Sequence, residues 1–371
     1  MVTKNVIING DSIEQMNNMP ENSVDLIFAD PPYWMRVEGT LNRVEGTEFD
    51  GCDDAWDQFE SLDDYEKFTE NWLRACHRIL KPNGAIWVIG GMQCIYTIGA
   101  IMQKIGFWII NDVIWHKKNP TPNFMGTRLN NSHETLIWAT KSKKSKYKFN
   151  YKTAKELNLD TVDDAEFARG VRKQMGSVWR FSVCSGAERI KDDDGNKLHS
   201  TQKPLEMLQR IIAISSDVGD VVLDPFGGTM TTGVAAKMYG RDYIMIERDK
   251  KYCEYGQRRL AQTKVVMDDI AKAVFDVKPL RVTMPEMIAA KFFDVDEVFC
   301  FRDGVGVATL MADGNLMYQG RVMDMHTCAA VARGVKAKRV NGFDYWYVKR
   351  GDKLVSIASV REQYRKTRSG D

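Results

Sequence analysis

The residues best placed to do chemistry sit in two short runs, DLIFADPPYWM (25–35) and VLDPFGGTMTTGVAA (222–236). Each is an apolar, strand-like stretch that ends at an acid, Asp30 or Asp224, with proline and an aromatic residue behind it. Pro31 and Pro32 fix φ and supply no N–H, so the chain leaves the strand without starting a helix and its carbonyls stay available. Behind Asp224 come Phe226, Gly227, Gly228 and Thr229, and a helix begins near Thr231 and Thr232. Glycine permits close backbone approach to a ligand, and a helix start offers free N–H groups to a carboxylate or phosphate. The next strand-like run ends in Glu247, about twenty residues on, where an acid can accept hydrogen bonds from both hydroxyls of a ribose. No lysine stands in a GKT-type arrangement. The pattern therefore suits a nucleoside with a small anionic group better than a triphosphate.

Those acids need strands to hold them. Strand-like runs occupy 5–10, 24–30, 84–90, 107–117, 134–140, 220–226 and 241–247. Between several of them the apolar spacing turns helical. In SLDDYEKFTENWLRACHRILKPNG, Leu62, Tyr65, Phe68, Trp72, Leu73, Cys76, Ile79 and Leu80 follow helical steps. Ser61 can cap that helix, and Pro82, Asn83 and Gly84 can stop it. Such alternation predicts an α/β fold, a doubly wound, mostly parallel, Rossmann-like sheet covered by helices on both faces. Ligands bind these sheets at the carboxyl ends of the strands, beside the switch point. Both acids fall there. The GxGxxG turn of a dehydrogenase is absent.

At 371 residues, 44% hydrophobic and 27% charged, the chain can build one large domain and a smaller one. No apolar run reaches the roughly 20 residues that span a bilayer, and the start lacks the apolar region of a secretory signal. Seven scattered cysteines without a CxxC pair suggest reduced thiols in a cytoplasm, and no metal site is expected. The net charge of +2 hides strong asymmetry. Residues 38–66 hold eleven acids against Arg43, whereas 141–155 hold seven lysines and no acid. Residues 333–371 carry eleven Lys or Arg against four acids. Tyr147, Phe149, Tyr151, Tyr345, Trp346 and Tyr347 interleave the basic segments, which leans towards a phosphate backbone as partner.

DPPY (30–33) together with DPFGGTMTTG (224–233) resembles the amino-methyltransferases of DNA, which use S-adenosylmethionine. The order of the two motifs resembles the β-class adenine-N6 enzymes. DAWDQF (54–59), NPTPNFMG (119–126), NNSHETLIWA (130–139), HSTQKPLEML (199–208) and VNGFDYWYVKRGDKLVSIASVR (340–361) extend the likeness to the HinfI-type enzymes. That group includes the cell-cycle-regulated adenine methyltransferases. The resemblance implies a site-specific enzyme that moves a methyl group from S-adenosylmethionine to adenine N6 in double-stranded DNA. It further implies the target GANTC, base flipping and direct in-line transfer. Asp30 and the Pro31 carbonyl would each accept an N–H of the target amine, and Tyr33 would stack on the extruded base. Cytosine-N4 methylation is the rival, with Ser usual where Asp30 stands. A catalytically silent DNA-binding regulator would have lost the acid or the cofactor loop. One departure concerns Met230, where the family has glycine; it predicts a reshaped loop with cofactor binding retained. A homodimer, a restriction endonuclease partner and a place at the nucleoid are left open.

The same resemblance assigns cofactor binding to Asp11, Thr201, Gln202, Lys203, Asp224, Phe226, Gly228, Thr229, Thr231, Thr232 and Glu247. It puts Asp11 near the cofactor's adenine and 201–203 at its methionine end; Asp11 can equally be a helix N-cap. Asn119, Pro120, Asn123 and Arg128 occupy an irregular loop, and Asn and Arg read adenine and guanine edges. With Lys144, Lys146, Lys349 and Arg350, Asn119, Asn123 and Arg128 make up the DNA-binding expectation. His133 and Glu134 read as structural. The expected division is a catalytic domain, 1–270, with recognition insertions around 36–60 and 117–200, and a small α+β DNA-binding domain, 280–371. In the latter, 303–320 reads as strands around DG turns, 323–336 as a helix, and 342–364 as strand, turn and helix.

Overall fold

The computed structural model describes residues 2–34, 41–42, 48–49, 57–123 and 126–369. The chain divides into two compact units, Met1–Val277 and Lys278–Asp371.

The first unit runs β1 (Val6–Asn9), α1 (Ser12–Asn17), β2 (Val24–Ala29), a short β3–β4 hairpin (Leu41–Asn42 with Glu48–Phe49) and α2 (Leu62–Ile79). It continues with β5 (Leu80–Gly90), α3 (Ile95–Ile105), β6 (Trp108–Lys117), β7 (His133–Thr140), α4 (Tyr151–Glu156), α5 (Asp164–Ala168) and β8 (Val178–Phe181). Then come α6 (Leu205–Ser215), β9 (Val221–Asp224), α7 (Thr231–Met238), β10 (Asp242–Glu247) and α8 (Lys250–Gln262). Eight strands form one sheet in the order β1-β10-β9-β2-β5-β7-β6-β8. Only β7 runs against its neighbours; every other pairing is parallel. The switch point lies between β2 and β9, which pair side by side.

Strand β2 shows why the sheet is buried on both faces. Leu26 and Phe28 join one core with Leu208 and Ile211 of α6 and Ala235 of α7. Ile27 and Ala29 join the other with Trp72 of α2 and Ile98 of α3. The two-residue strand period thus feeds two cores, the habit of parallel strands. On β5, Trp87 stacks on Trp138 of β7 with ring centroids 5.0 Å apart and donates through Nε1 to Ser215 Oγ at 3.0 Å. Truncating such a buried indole to alanine costs about 3–5 kcal/mol.

Two local expectations are corrected. Ser61 caps α2 by accepting from the Asp64 N–H, but α2 ends before Pro82, and Pro82, Asn83 and Gly84 lie inside β5. A proline biases its predecessor towards extended backbone, so pairing with β2 starts already at Leu80. The stretch 117–200 is not a plain insertion, because it contributes β7 and β8 to the sheet. Strand β8, four residues on the sheet edge, escapes sequence periodicity. Most of 36–60 lies outside the described residues.

The second unit holds α9 (Met284–Ala289), β11 (Val298–Phe301), β12 (Val307–Leu310), β13 (Leu316–Tyr318), β14 (Arg321–Met323), α10 (Met325–Ala332), β15 (Trp346–Arg350), β16 (Lys353–Ser356) and α11 (Ile357–Ser369). Its antiparallel sheet has the order β14-β13-β12-β11-β15-β16. Phe299, Phe301, Leu310, Leu316, Trp346 and Val348 meet Met287, Cys328 and Ile357 in a core of its own. The stretch 342–364 therefore holds a β-hairpin before its helix, where one strand was expected.

Candidate active site

Strands β1, β2, β9 and β10 deliver their last residues to one end of the sheet, and antiparallel β7 brings its first residues there. A cavity of ≈ 300 Å³ opens at that end, lined by Asp11, Asp30, Tyr33, Asp224, Gly228 and Glu247 among others.

Asp30 is the buried acid at its centre. Oδ2 lies 2.7 Å from Lys203 Nζ, while Oδ1 is buried without a hydrogen-bond partner among the described residues. Burial pushes the carboxyl above its usual range, and the adjacent ammonium only partly offsets that. The Pro32 carbonyl accepts from the Tyr65 hydroxyl at 3.0 Å. Asp57 Oδ1 accepts both the Tyr33 and Trp34 N–H groups, at 2.6 and 2.7 Å, and Trp34 sits in the left-handed region at φ 52°. Asp57 therefore clamps the turn that carries the acid. Tyr33 donates to Glu134 Oε2 at 2.9 Å, and Glu134 Oε1 pairs with Lys117 at 2.7 Å. Burial alone would raise Glu134, yet Lys203 and Lys117, with the Tyr33 hydroxyl, hold it below the usual carboxylate range. Glu134 opens β7 as expected, and the reversed direction of that strand brings it beside the acid's turn.

The other half of the cavity is the turn after β9. Asp224 accepts from Phe226 N at 2.9 Å and Thr232 Oγ1 at 2.6 Å, and burial pushes it up to about 8. Gly228 takes φ 49°, and its N–H donates to Glu247 Oε2 at 2.7 Å. Glu247 Oε1 accepts from Asp249 N at 2.7 Å, which leaves further lone pairs on both oxygens. Thr229 and Thr231 are joined through Arg259, whose Nη1 donates to Thr229 O and Thr231 Oγ1 at 2.7 and 2.9 Å. At Met230 the loop takes a conformation that glycine adopts freely. That residue keeps a glycine-like backbone, φ 60° and ψ 29°, and its side chain is fully buried in a cluster with Val234, Met245, Cys253 and Leu260. The glycine cradle, the acid at the end of β10 and the second acid on β9 together fit a nucleoside-bearing sulfonium.

The remaining expectations separate. Asp11 lines the cavity and is also the N-cap of α1, accepting from Ile13 N and Glu14 N. Thr201 lines it too, its N–H donating to His199 Nδ1 at 3.1 Å. Gln202 accepts from Ile190 N and donates to Glu188 O, so its amide holds the preceding segment. Lys203, expected at the methionine end of the cofactor, lines the cavity and pairs with Asp30. Asn119 accepts the Val183 N–H at 2.8 Å, and Arg128 donates to Asn131 Oδ1 at 3.0 Å. Asn123 belongs to the same loop, which follows β6 at the cavity end of the sheet. Lys144 and Lys146 do not join the site: they follow Thr140, which pairs with Ala85 near the start of β5, at the opposite end of the sheet. Arg350 is paired with Glu297, whereas Lys349 is exposed on β15. Sequence reasoning missed Asp57, Glu134, Lys117 and Arg259 as site supports; an Asp after a tryptophan in DAWDQF was a signal only in retrospect.

Residues 24–258 match a family model for N6/N4 methyltransferases, described as DNA methylase. The chain is 46% identical over 360 residues to the Type II methyltransferase M.HinfI of Haemophilus influenzae, covering 97% of this chain and 96% of that protein. It is 37% identical over 259 residues to the Type II methyltransferase M2.DpnII of Streptococcus pneumoniae, covering 69% and 90%. Its fold is similar to that of the PvuII cytosine-N4-specific DNA methyltransferase, with a TM-score of 0.51 at 18% identity over 74% and 92% of the two chains.

Proposed function

The chain belongs to the N6/N4 DNA methylase family, and from that premise we propose that it methylates adenine N6 in duplex DNA, within GANTC. S-adenosylmethionine is the methyl donor and supplies an electrophilic methyl on a sulfonium. The observation that carries the adenine reading is the lone buried Oδ1 of Asp30 beside the Pro31 carbonyl, which has no partner among the described residues. An exocyclic amine is a poor nucleophile because its lone pair is delocalised into the ring. Two acceptors that each take one of its N–H bonds draw the nitrogen towards tetrahedral geometry and aim the lone pair at the methyl. With the donor bound, Asp30 and the Pro31 carbonyl would orient the amine, and Asp30 would help take up the proton that the amine releases on methylation. Burial raises the proton affinity of Asp30, which suits that last step. Tyr33 gives the extruded base a ring to stack on, and most of the acceleration would be positioning.

Asn123 and Arg128 are the proposed base-reading residues, and the second unit the proposed phosphate-binding one. Action on chromosomal DNA would bring the enzyme to the nucleoid. A homodimer and a restriction endonuclease reading the same site rest on the resemblance alone, and sedimentation with and without a GANTC duplex tests the first. The central test is nucleoside mass spectrometry of duplexes incubated with protein and S-adenosylmethionine. N6-methyladenine confined to GANTC supports the reading; N4-methylcytosine, or no methylated base, overturns it.

A further inference from the structure

Asp30 does not stand alone in its pocket. Lys203 Nζ lies 2.7 Å from Asp30 Oδ2, 3.9 Å from Glu134 Oε2 and 5.1 Å from the Tyr33 ring centroid. Its own backbone steadies it, since Nζ also donates to Thr201 O at 3.3 Å and Gln202 is tied to Glu188 and Ile190. Glu134 pairs with Lys117 and accepts from Tyr33. Two carboxylates and two ammoniums thus cancel in a site where the side chains of all four are at most 17% exposed. Such a closed arrangement exceeds what a surface ion pair needs, and removing one partner would strand a buried charge.

On the reading that Asp30 receives the target amine, we propose that Lys203 and Glu134 are positioning residues for it. Lys203 occupies one carboxylate oxygen, so the carboxylate cannot turn and Oδ1 remains the acceptor without a partner among the described residues. Glu134 holds Lys203 by charge and Tyr33 by hydrogen bond, which sets the acid and the stacking ring relative to each other. The groups facing Asp30 come from every side: Lys203 before α6, Glu134 on β7 with Lys117 of β6 behind it, Tyr33 in its own turn, Cys94 at the start of α3, and Asp224 at the end of β9. Only Lys203 is cationic and in contact. Its removal should therefore favour the protonated acid, while neutralising Glu134 should favour the carboxylate.

The test uses full-length protein with ¹³C-labelled aspartate carboxyls, the Asp30 signal being assigned by its loss in Asp30→Asn. The variants are Lys203→Met, Lys203→Arg and Glu134→Gln, the last two keeping volume so that the fold persists. Without cofactor, the Asp30 titration should move to higher pH in Lys203→Met, return towards the parent in Lys203→Arg, and move to lower pH in Glu134→Gln. In turnover, Lys203→Met should lose about 100-fold in kcat, the scale of a misplaced reacting group, with KM for DNA unchanged. A titration that moves in neither Lys203→Met nor Glu134→Gln, or a kcat that Lys203→Met leaves intact, overturns the proposal. A parent protein that methylates no duplex overturns the functional reading instead, and the titration still decides the electrostatic role.

Discussion

At the scale of single residues, the acids divide by what already touches them. Glu247 accepts two backbone N–H groups and keeps further lone pairs, which on the proposed reading would receive a ribose. Glu247→Ala should weaken S-adenosylmethionine by about 1–3 kcal/mol, the usual loss for hydrogen bonds to a charged group. Calorimetry that finds unchanged affinity would show the ribose to be held elsewhere. Asp224 makes a different prediction, about stability. Its folded value of about 8 lies far above the ordinary 3.8 because burial disfavours the charge. Between those values the native state binds a proton that the unfolded chain does not, so this contribution to stability is full at the acid end and is lost as pH rises towards 8. Asp30 and Glu247, also raised by burial, add slopes of the same sign. Asp224→Asn should flatten the fall in stability between pH 5 and 8, read from denaturant midpoints about one pH unit apart. An unchanged slope in that variant would show that Asp224 is ionised throughout.

At the scale of elements, the turn between β9 and α7 is the informative case. A side chain in left-handed backbone is strained, and Met230 accepts that strain to fill a core pocket under α8. Gly256 leaves the space: a Cβ there would lie 2.3 Å from Met230 Cγ. Gly256→Ala should therefore destabilise by about 1–3 kcal/mol through overpacking, and weaken the cofactor by moving the turn. In a Met230→Gly background the same change should cost much less, because the two sites share one space. Denaturant unfolding of the four proteins measures this, and additive effects would refute the coupling. This pair also marks the limit of sequence reading. The strands that carry Asp30, Asp224 and Glu247 were legible, because long apolar runs ending at an acid are local patterns. Glu134 was not, since only the antiparallel entry of β7 puts it beside the turn that follows β2, and direction is a property of the sheet. Asp57 was invisible for a similar reason: its role is to accept two N–H groups from residues more than twenty positions earlier. The Met230 substitution was visible, but its consequence depended on Gly256, which no local pattern links to it.

At the scale of the whole molecule, net charge overstates what the second unit can offer DNA. Residues 333–371 carry eleven Lys or Arg, yet Arg333, Arg339, Arg350, Arg365 and Arg368 are paired with Asp303, Asp324, Glu297, Glu362 and Glu286. Exposed pairs of this kind contribute little to stability, but each one lowers the charge available to a phosphate. Lys336, Lys338, Lys349 and Lys353 are exposed and make no ion pair among the described residues. If the stretch 333–371 holds the DNA backbone, these four should carry most of its salt-dependent binding. Changing all four to Gln should lower the slope of log K against log salt by about one per lysine that contacts a phosphate. Affinity should fall alike on GANTC and scrambled duplexes, because phosphate contacts position the protein without reading sequence. Asn123→Ala or Arg128→Ala should do the reverse, narrowing the difference between the two duplexes while leaving the slope nearly unchanged. The second unit has a hydrophobic core of its own, so surface Lys→Gln changes should leave its unfolding midpoint in place and keep the comparison clean. A salt titration of the four-lysine variant that overlays the parent on both duplexes would rule out a backbone-binding role for this face.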